Sequence, residues 1–105
     1  MKDPKIFQQG AIFRLELLEK SHPEFRSSET AHPVSEQTLK VFHDHLEAKY
    51  GQQYHLPSRT TYSYLINGVV VDITRQGHQH YKSARLWSST KEGLVSLLDE
   101  AKLEA

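Results

Sequence analysis

The segment from residue 62 to residue 74 constrains the fold of this chain more than any other part of the sequence. Two runs rich in β-branched and aromatic residues flank the dipeptide Asn67-Gly68. Asn-Gly between such runs is the strongest short-range signal for a β-hairpin, because a type I′ turn needs positive φ at both central residues. We therefore predict a two-residue turn that places Ile66 opposite Val69.

This register divides the side chains of the hairpin between two faces. The face that we expect to pack against helices is apolar and consists of Tyr62, Tyr64, Ile66, Val69, Val71 and Ile73. The opposite face is mostly polar and consists of Thr61, Ser63, Leu65, Val70, Asp72 and Thr74. A shift of the strand pairing by one residue would expose all the side chains of the apolar face to water. The register is therefore strongly specified. One face is thus predicted to be core and the other to be exposed to water.

Two helices are predicted from capping signals and apolar spacing. The first begins after Ser35, a suitable N-cap, and ends before Gly51, which suits a left-handed C-terminal position. Its inward stripe consists of Leu39, Phe42, Leu46 and either Lys49 or Tyr50. The second begins at the capping box formed by residues 89–92, with Ser89 as the N-cap. Its apolar stripe follows helical spacing and consists of Leu94, Leu97, Leu98 and Ala101.

The remaining segments complete the predicted order of elements. Residues 5–20 contain good helix formers and are predicted as a helix, although the alternation of Phe13, Leu15 and Leu17 also fits a strand. Residues 21–35 are predicted as a loop, Gln76-Gly77 as a second turn and residues 81–87 as a third strand. The expected fold class is α+β, with a three-stranded antiparallel meander packed on helices in the order α(α)βββα. We expect one domain that spans residues 1–105.

Composition limits the chemistry that the chain can perform. It has 105 residues and no cysteine, which excludes disulfides, thiolate metal sites and cysteine nucleophiles. Phosphate-binding glycine loops, paired catalytic carboxylates and Ser/His/Asp signatures are absent from the sequence, so no cofactor and no catalytic residue are predicted. The N-terminus lacks the apolar region of a signal peptide, and no apolar run approaches the length of a membrane span. We expect a cytoplasmic protein without a membrane partner.

Charge is distributed unevenly although the formal net charge is zero. Residues 58–91 carry a net charge of +4, and residues 92–105 carry −3. The predicted sheet is therefore basic, which favours a non-catalytic binding module whose partner is a nucleic acid or an acidic protein. The candidate binding residues are Arg75, His78, His80, Lys82 and Arg85. An edge strand could instead join two copies of the chain into a homodimer.

Histidines and aromatic residues supply further candidates. His78 and His80 would point to the same side of an extended segment, a spacing that can bind a metal, but no full ligand set accompanies them and no metal site is predicted. His43 and His45 point about 200° apart on a helix and cannot share one ion. Trp87 is predicted to lie in the core below the last helix; the alternative is an exposed stacking surface shared with Tyr81.

The run of residues 75–82, Arg-Gln-Gly-His-Gln-His-Tyr-Lys, and the last helix from Gly93 onward resemble the histidine loop and final helix of HicA-type mRNA interferase toxins. The resemblance covers less than a third of the chain, and the serine usual before the histidine is missing. It implies a small fold like that of a double-stranded-RNA-binding domain, with one catalytic histidine on the sheet. The alternative function is therefore a histidine-dependent ribonuclease that uses His78 or His80.

Overall fold

A computed structural model of the chain describes residues 6–21, 31–55, 60–77 and 80–103. Within them the chain forms seven strands and two helices. The strands are β1 (Ile6–Gln9), β2 (Ile12–Glu19), β3 (Ala31–Val34), β4 (Tyr54–His55), β5 (Thr61–Ile66), β6 (Val69–Gln76) and β7 (His80–Ser88). The helices are α1 (Glu36–Tyr50) and α2 (Lys91–Ala101). The chain is thus an α+β protein in which strands predominate.

Six of these strands form an antiparallel path, in the order β1-β2-β7-β6-β5-β4. The seventh strand, β3, pairs with β2 in parallel. The sheet therefore joins the N-terminal strands to the central hairpin through the pairing of β2 with β7. Both helices pack on one face of the sheet.

The predicted three-stranded meander in the order α(α)βββα is wrong, because the first part of the chain forms strands. Residues 6–19 form the hairpin β1–β2, which turns at Gly10 with a φ of 61°. The alternation of Phe13, Leu15 and Leu17 reflects this strand, and the last two side chains are fully buried. The loop predicted for residues 21–35 is also wrong where β3 forms, and residues 22–30 lie outside the described residues. The connection predicted after α1 contains the short strand β4.

The central hairpin is confirmed. Ile66 pairs with Val69 and Tyr64 with Val71, and the turn residues Asn67 and Gly68 have φ values of 49° and 82°. The third strand of the predicted meander is confirmed as β7. The chain reverses before it at Gly77, which has a φ of 57°.

Both helices predicted from capping signals are confirmed, with one change of cap. The hydroxyl of Ser35 accepts a hydrogen bond of 3.1 Å from the backbone N–H of Thr38 and caps α1. The N-cap of α2 is Thr90 and not Ser89, since the Thr90 hydroxyl accepts from the N–H of Gly93 at 3.1 Å. The cap therefore lies one residue later than predicted, and the predicted capping box is wrong, because the position three residues after Thr90 is Gly93, which has no side chain to bond back to the cap.

The core lies between the helices and the face of the sheet that they cover. It contains the apolar stripes of both helices and the helix-facing side chains of β2, β5, β6 and β7. Its buried members are Leu15, Leu17, Val34, Leu39, Phe42, Leu46, Tyr64, Ile66, Val69, Val71, Ile73, Tyr81, Ala84, Leu86, Leu94, Leu97, Leu98, Ala101 and Leu103. The predicted apolar face of the hairpin is thus the core face, as expected.

A β-bulge in β7 changes which side chains share a face. Thr74 pairs with Ser83 and Arg75 pairs with Tyr81, so Lys82 has no opposite residue in β6. Because successive strand residues alternate, this extra residue places Tyr81 on the helix-covered face and Trp87 on the other face. The prediction that Trp87 lies in the core is therefore wrong, and the predicted stacking pair of Trp87 with Tyr81 is divided between the two faces.

Among the described residues, neither helix combines the length and the apolar character that crossing a membrane requires.

Candidate functional site

The face of the sheet that α1 and α2 leave uncovered carries a row of large side chains. Strand pairing aligns one residue from each of five neighbouring strands across this row: Phe7, Arg14, Trp87, Val70 and Leu65. The Arg14 guanidinium carbon lies 5.3 Å from the ring centroid of Phe7 and 5.7 Å from that of Trp87. The arginine thus stacks between two aromatic rings. We call this uncovered face of the sheet the open face. It consists of this first row and of a second, more polar row beside it.

The second row of the open face contains charges of both signs: Glu16, Arg85, Asp72, Ser63 and Tyr54. Arg14 Nη2 lies 3.1 Å from Glu16 Oε1, and Arg85 Nε lies 3.5 Å from Glu16 Oε2. The hydroxyl of Ser63 donates to Asp72 at 2.8 Å. The next side chains along the same face, Leu18 and Ser83, are buried, so the exposed part of this face ends at the second row. The open face is therefore a strip two residues wide whose charges balance locally.

Apolar side chains are unusually exposed on the open face. Leu65 is 64% exposed, Tyr54 58% and Val70 42%, and Ile12, which lies beside the first row two residues before Arg14 on β2, is 41% exposed. They make up four of the six large apolar residues that are exposed in the described part of the chain; the other two, Val41 and Val95, lie on the helices. Scattered exposed apolar residues are normal, but a contiguous group on one face marks an interaction surface.

The predicted binding residues that the structure describes do not form one patch. Arg75 lies on the helix-covered side, with its guanidinium carbon 4.8 Å from the ring centroid of Tyr81. Arg85 lies on the open face, on the other side of the sheet. Lys82 is the extra residue of the bulge, and His78 lies outside the described residues. The basic surface expected from the charge distribution is thus divided between two faces.

His80 and Lys82 do come together at the end of the sheet. They line a cleft of about 320 Å³ with Glu19, Ser21, Glu36, Gln76 and Tyr81. Nδ1 of His80 lies 3.4 Å from Glu36 Oε1, and the His80 side chain is 67% exposed. The cleft therefore combines carboxylates with cationic groups. Within the described residues, no group of three or more metal-ligating side chains is close enough to hold a metal ion.

A second polar cluster lies below α1, around the buried side chain of His43. Nδ1 of His43 is 2.8 Å from the Tyr81 hydroxyl, and Nε2 is 2.9 Å from the Tyr64 hydroxyl and 3.0 Å from Glu47 Oε1. The Tyr64 hydroxyl donates to Glu47. The Tyr64 oxygen can then accept a hydrogen bond from Nε2–H of His43. The neutral imidazole therefore carries its proton on Nε2, and its Nδ1 accepts a hydrogen bond from the Tyr81 hydroxyl. The neutral imidazole is thus fully hydrogen-bonded to α1, β5 and β7.

Burial controls the ionisation of this cluster. Removal from water lowers the pKa of His43 below its ordinary value, although the carboxylate of Glu47 acts in the opposite direction. Burial, followed by the hydrogen bond to Glu47, raises the pKa of Tyr64. Burial also raises the pKa of Tyr81. The neutral forms of all three side chains are therefore favoured in the folded state. The sequence prediction gives His43 no role, although the residue lies one turn from Leu39 and Leu46 on the inward stripe of α1.

A third cluster joins the two helices around Glu100. Its carboxylate accepts hydrogen bonds from Tyr50 at 2.8 Å and from His45 at 2.7 Å, and Lys49 Nζ lies 2.9 Å away. The hydrogen bond from Lys49, followed by that from His45, lowers the pKa of Glu100 to about 2. The carboxylate thus fixes the C-terminal part of α1 against α2.

We expect Glu100→Gln to lower the free energy of unfolding at pH 7 by about 1 kcal/mol, a modest value because the cluster is partly exposed. The folded-state pKa of Glu100 is lower than the value near 4.5 of the unfolded chain. Its contribution is therefore complete above pH 4.5 and is lost as the pH falls toward 2. Urea unfolding between pH 7 and pH 3 measures this loss. Asp99→Asn, at the exposed neighbouring carboxylate, is the control; equal effects of the two variants would contradict the assignment.

No protein-family model, no curated protein and no solved structure matches this chain. The resemblance to HicA-type toxins therefore depends on the quoted residues alone.

Proposed function

We propose that the chain is a non-catalytic binding module that binds a partner protein on its open face. The observation that carries the proposal is the concentration of exposed apolar side chains there, next to Trp87 and Arg14. Tryptophan and arginine are the residue types most enriched among those that dominate binding energy in protein interfaces. The absence of cysteine supports a cytoplasmic location for this module.

Charge on the open face favours a protein over a nucleic acid. Its two rows carry two arginines and two carboxylates, and Glu16 lies close to both arginines. Nucleic-acid binding requires cationic side chains that neutralise phosphates, and each anionic residue opposes it. The first row, in which Arg14 is the one charged residue, instead resembles the centre of a protein interface, and the charged second row resembles the polar rim around such a centre.

The shape of the strip indicates the size of the partner segment. The first row crosses five strands, which lie about 4.8 Å apart, so it is about 19 Å long. A helix with its side chains is about 10–12 Å wide and rises 1.5 Å per residue. One amphipathic helix of about 13 residues would therefore cover the strip along its row. We propose such a helix of the partner protein as the bound element.

The test compares two pairs of glutamate substitutions. The face variant carries Leu65→Glu and Val70→Glu, and the matched control carries Val41→Glu and Val95→Glu on the helices. All four side chains are exposed, so both variants should fold, and the two glutamates that face each other across β5 and β6 should cost the face variant no more than about 1 kcal/mol of stability. Immobilised wild-type protein is used to capture proteins from a lysate of the source organism. The amount of each captured protein that binds to the immobilised face variant and to the immobilised control is then measured.

We expect at least one captured protein to be retained by the control and to be lost, by tenfold or more, with the face variant. Capture that is equal for the two variants, or no capture at all, would refute the proposal. Light scattering of the wild type identifies a second copy as the partner if a dimer forms and the face variant is monomeric. Labelled RNA in the same series tests the alternatives: salt-sensitive binding that depends on Arg85 would favour a nucleic-acid partner, and cleavage that depends on His80 would favour a ribonuclease.

A further inference from the structure

The cluster around His43 connects one helix to two strands through a single titratable side chain. Its ring centroid lies 4.7 Å from that of Tyr62, 5.6 Å from that of Tyr81 and 6.0 Å from that of Tyr64. The side chain is almost completely buried, and hydrogen bonds join both ring nitrogens to the sheet. Any change in the proton count of this ring therefore acts directly on the junction between α1 and the sheet.

Protonation would reverse one of these hydrogen bonds. Nδ1 of neutral His43 accepts from the Tyr81 hydroxyl, whereas the imidazolium has an N–H at both positions and accepts nowhere. The Tyr81 hydroxyl could then no longer donate to His43. A cation would also be created in a buried site where the Arg75 guanidinium already lies against the rings of Tyr62 and Tyr81.

The charged and titratable groups that face His43 in the described part of the chain have opposing effects. Glu47 and Asp44 of α1 favour the imidazolium, and Arg75 of β6 opposes it. Three tyrosines of β5 and β7, Tyr62, Tyr64 and Tyr81, complete the surroundings. Loss of hydration outweighs the carboxylates, so the neutral ring is favoured on balance.

We propose that His43 is a proton-sensitive lock, which holds α1 on the sheet when neutral and releases the helix when the pH falls. This lock is independent of the open face, since its residues lie on the helix-covered side. Its sign follows from linkage: a histidine whose folded-state pKa is lowered contributes stability above pH 6.5, and this contribution is lost as the pH falls below that value. Acidification therefore weakens the docking of α1 at a higher pH than that at which Asp and Glu side chains become protonated.

Amide hydrogen exchange of the wild-type protein at pH 7.4 and pH 5.0 tests the lock. After correction for the intrinsic exchange rates, we expect the protection of α1 to fall by up to about thirty-fold, which is the limit for a ring that stays neutral in the docked state. The protection of α2 should fall less. In His43→Gln, which keeps a neutral hydrogen-bonding side chain, the difference between the two pH values should disappear. His80→Gln, at an exposed histidine, should behave like the wild type.

Three outcomes would overturn the proposal. The first is protection of α1 that does not change with pH in the wild type. The second is an equal fall in α1 and α2, because the response would then be global unfolding. The third is a His43 pKa at or above 6.5 in an NMR titration of the wild-type imidazole, a measurement that does not depend on the folding of any variant.

Discussion

The variant His43→Ala is expected to lower the free energy of unfolding by about 3–5 kcal/mol at pH 7. Removal of a buried ring leaves a cavity, and the lost contacts alone cost about as much as other large-to-small substitutions in cores. The hydroxyls of Tyr64 and Tyr81 also lose their hydrogen-bond partner at His43, and an unsatisfied buried polar group costs about 1–3 kcal/mol. Since small domains are stable by only about 5–15 kcal/mol, much of the stability depends on this residue.

Urea unfolding followed by circular dichroism measures this effect. His80→Ala is the matched control, because its ring is largely exposed, and we expect a change of less than about 0.5 kcal/mol. His43→Gln should lie between the two, since glutamine fills part of the space and can both donate and accept a hydrogen bond. A loss below 1 kcal/mol for His43→Ala would show that the cluster contributes little to holding α1 on the sheet.

The sequence contains enough information to place His43 in the core but not to give it a partner. The residue lies four positions after Leu39 and three before Leu46, which is the spacing of the inward stripe. The sequence-based prediction that His43 and His45 point to different sides of the helix is correct, since His45 is hydrogen-bonded to Glu100 of α2. The tyrosines that bind His43 belong to strands at least 19 residues further along the chain. Only the tertiary structure brings them below the helix.

Local and long-range signals explain which elements could be predicted. The central hairpin forms as expected because the Asn67-Gly68 turn fixes its register within a few residues. The first strands, β1 and β2, carry mixed helix and strand signals, and the choice depends on the pairing of β2 with β7, some 70 residues away. Strand propensity depends on such packing more than helix propensity does. Single-sequence reasoning therefore assigns this segment incorrectly.

The candidate binding surface shows the same limit. The basic character of residues 58–91 is a property of the chain and not of a face. Arg75 has the same parity as Val71 and Ile73, so the hairpin register already places it on the helix-covered side. The stacking of Arg14 between Phe7 and Trp87 requires the pairing of β1, β2 and β7. No charge count along the sequence could show it.

The bulge at Lys82 explains the last difference between sequence and structure, and it leads to a prediction about deletions. Parity along an unbroken strand puts Tyr81 and Trp87 on one face, whereas the bulge puts them on opposite faces. Deletion of Lys82 would make the ladder regular and would leave both residues on their present faces. We therefore expect this deletion to retain the fold with a loss of about 1 kcal/mol or less. Lys82→Ala separates the effect of the side chain from that of the backbone residue.

Deletion of Arg85, three residues later, is expected to abolish folding or to cost more than about 4 kcal/mol. It would move Ala84 to the open face and would place Lys82 at the buried position of Ser83, because a shift of one residue reverses the side chains between the deletion and the bulge, while Tyr81 stays opposite Arg75. Urea unfolding of the two deletion variants measures the difference in stability. If both deletions unfold the protein, the bulge is itself required for folding; if both are tolerated, the register of β7 does not depend on the buried face. A large difference in the expected direction would show that Lys82 is an insertion into an otherwise regular strand.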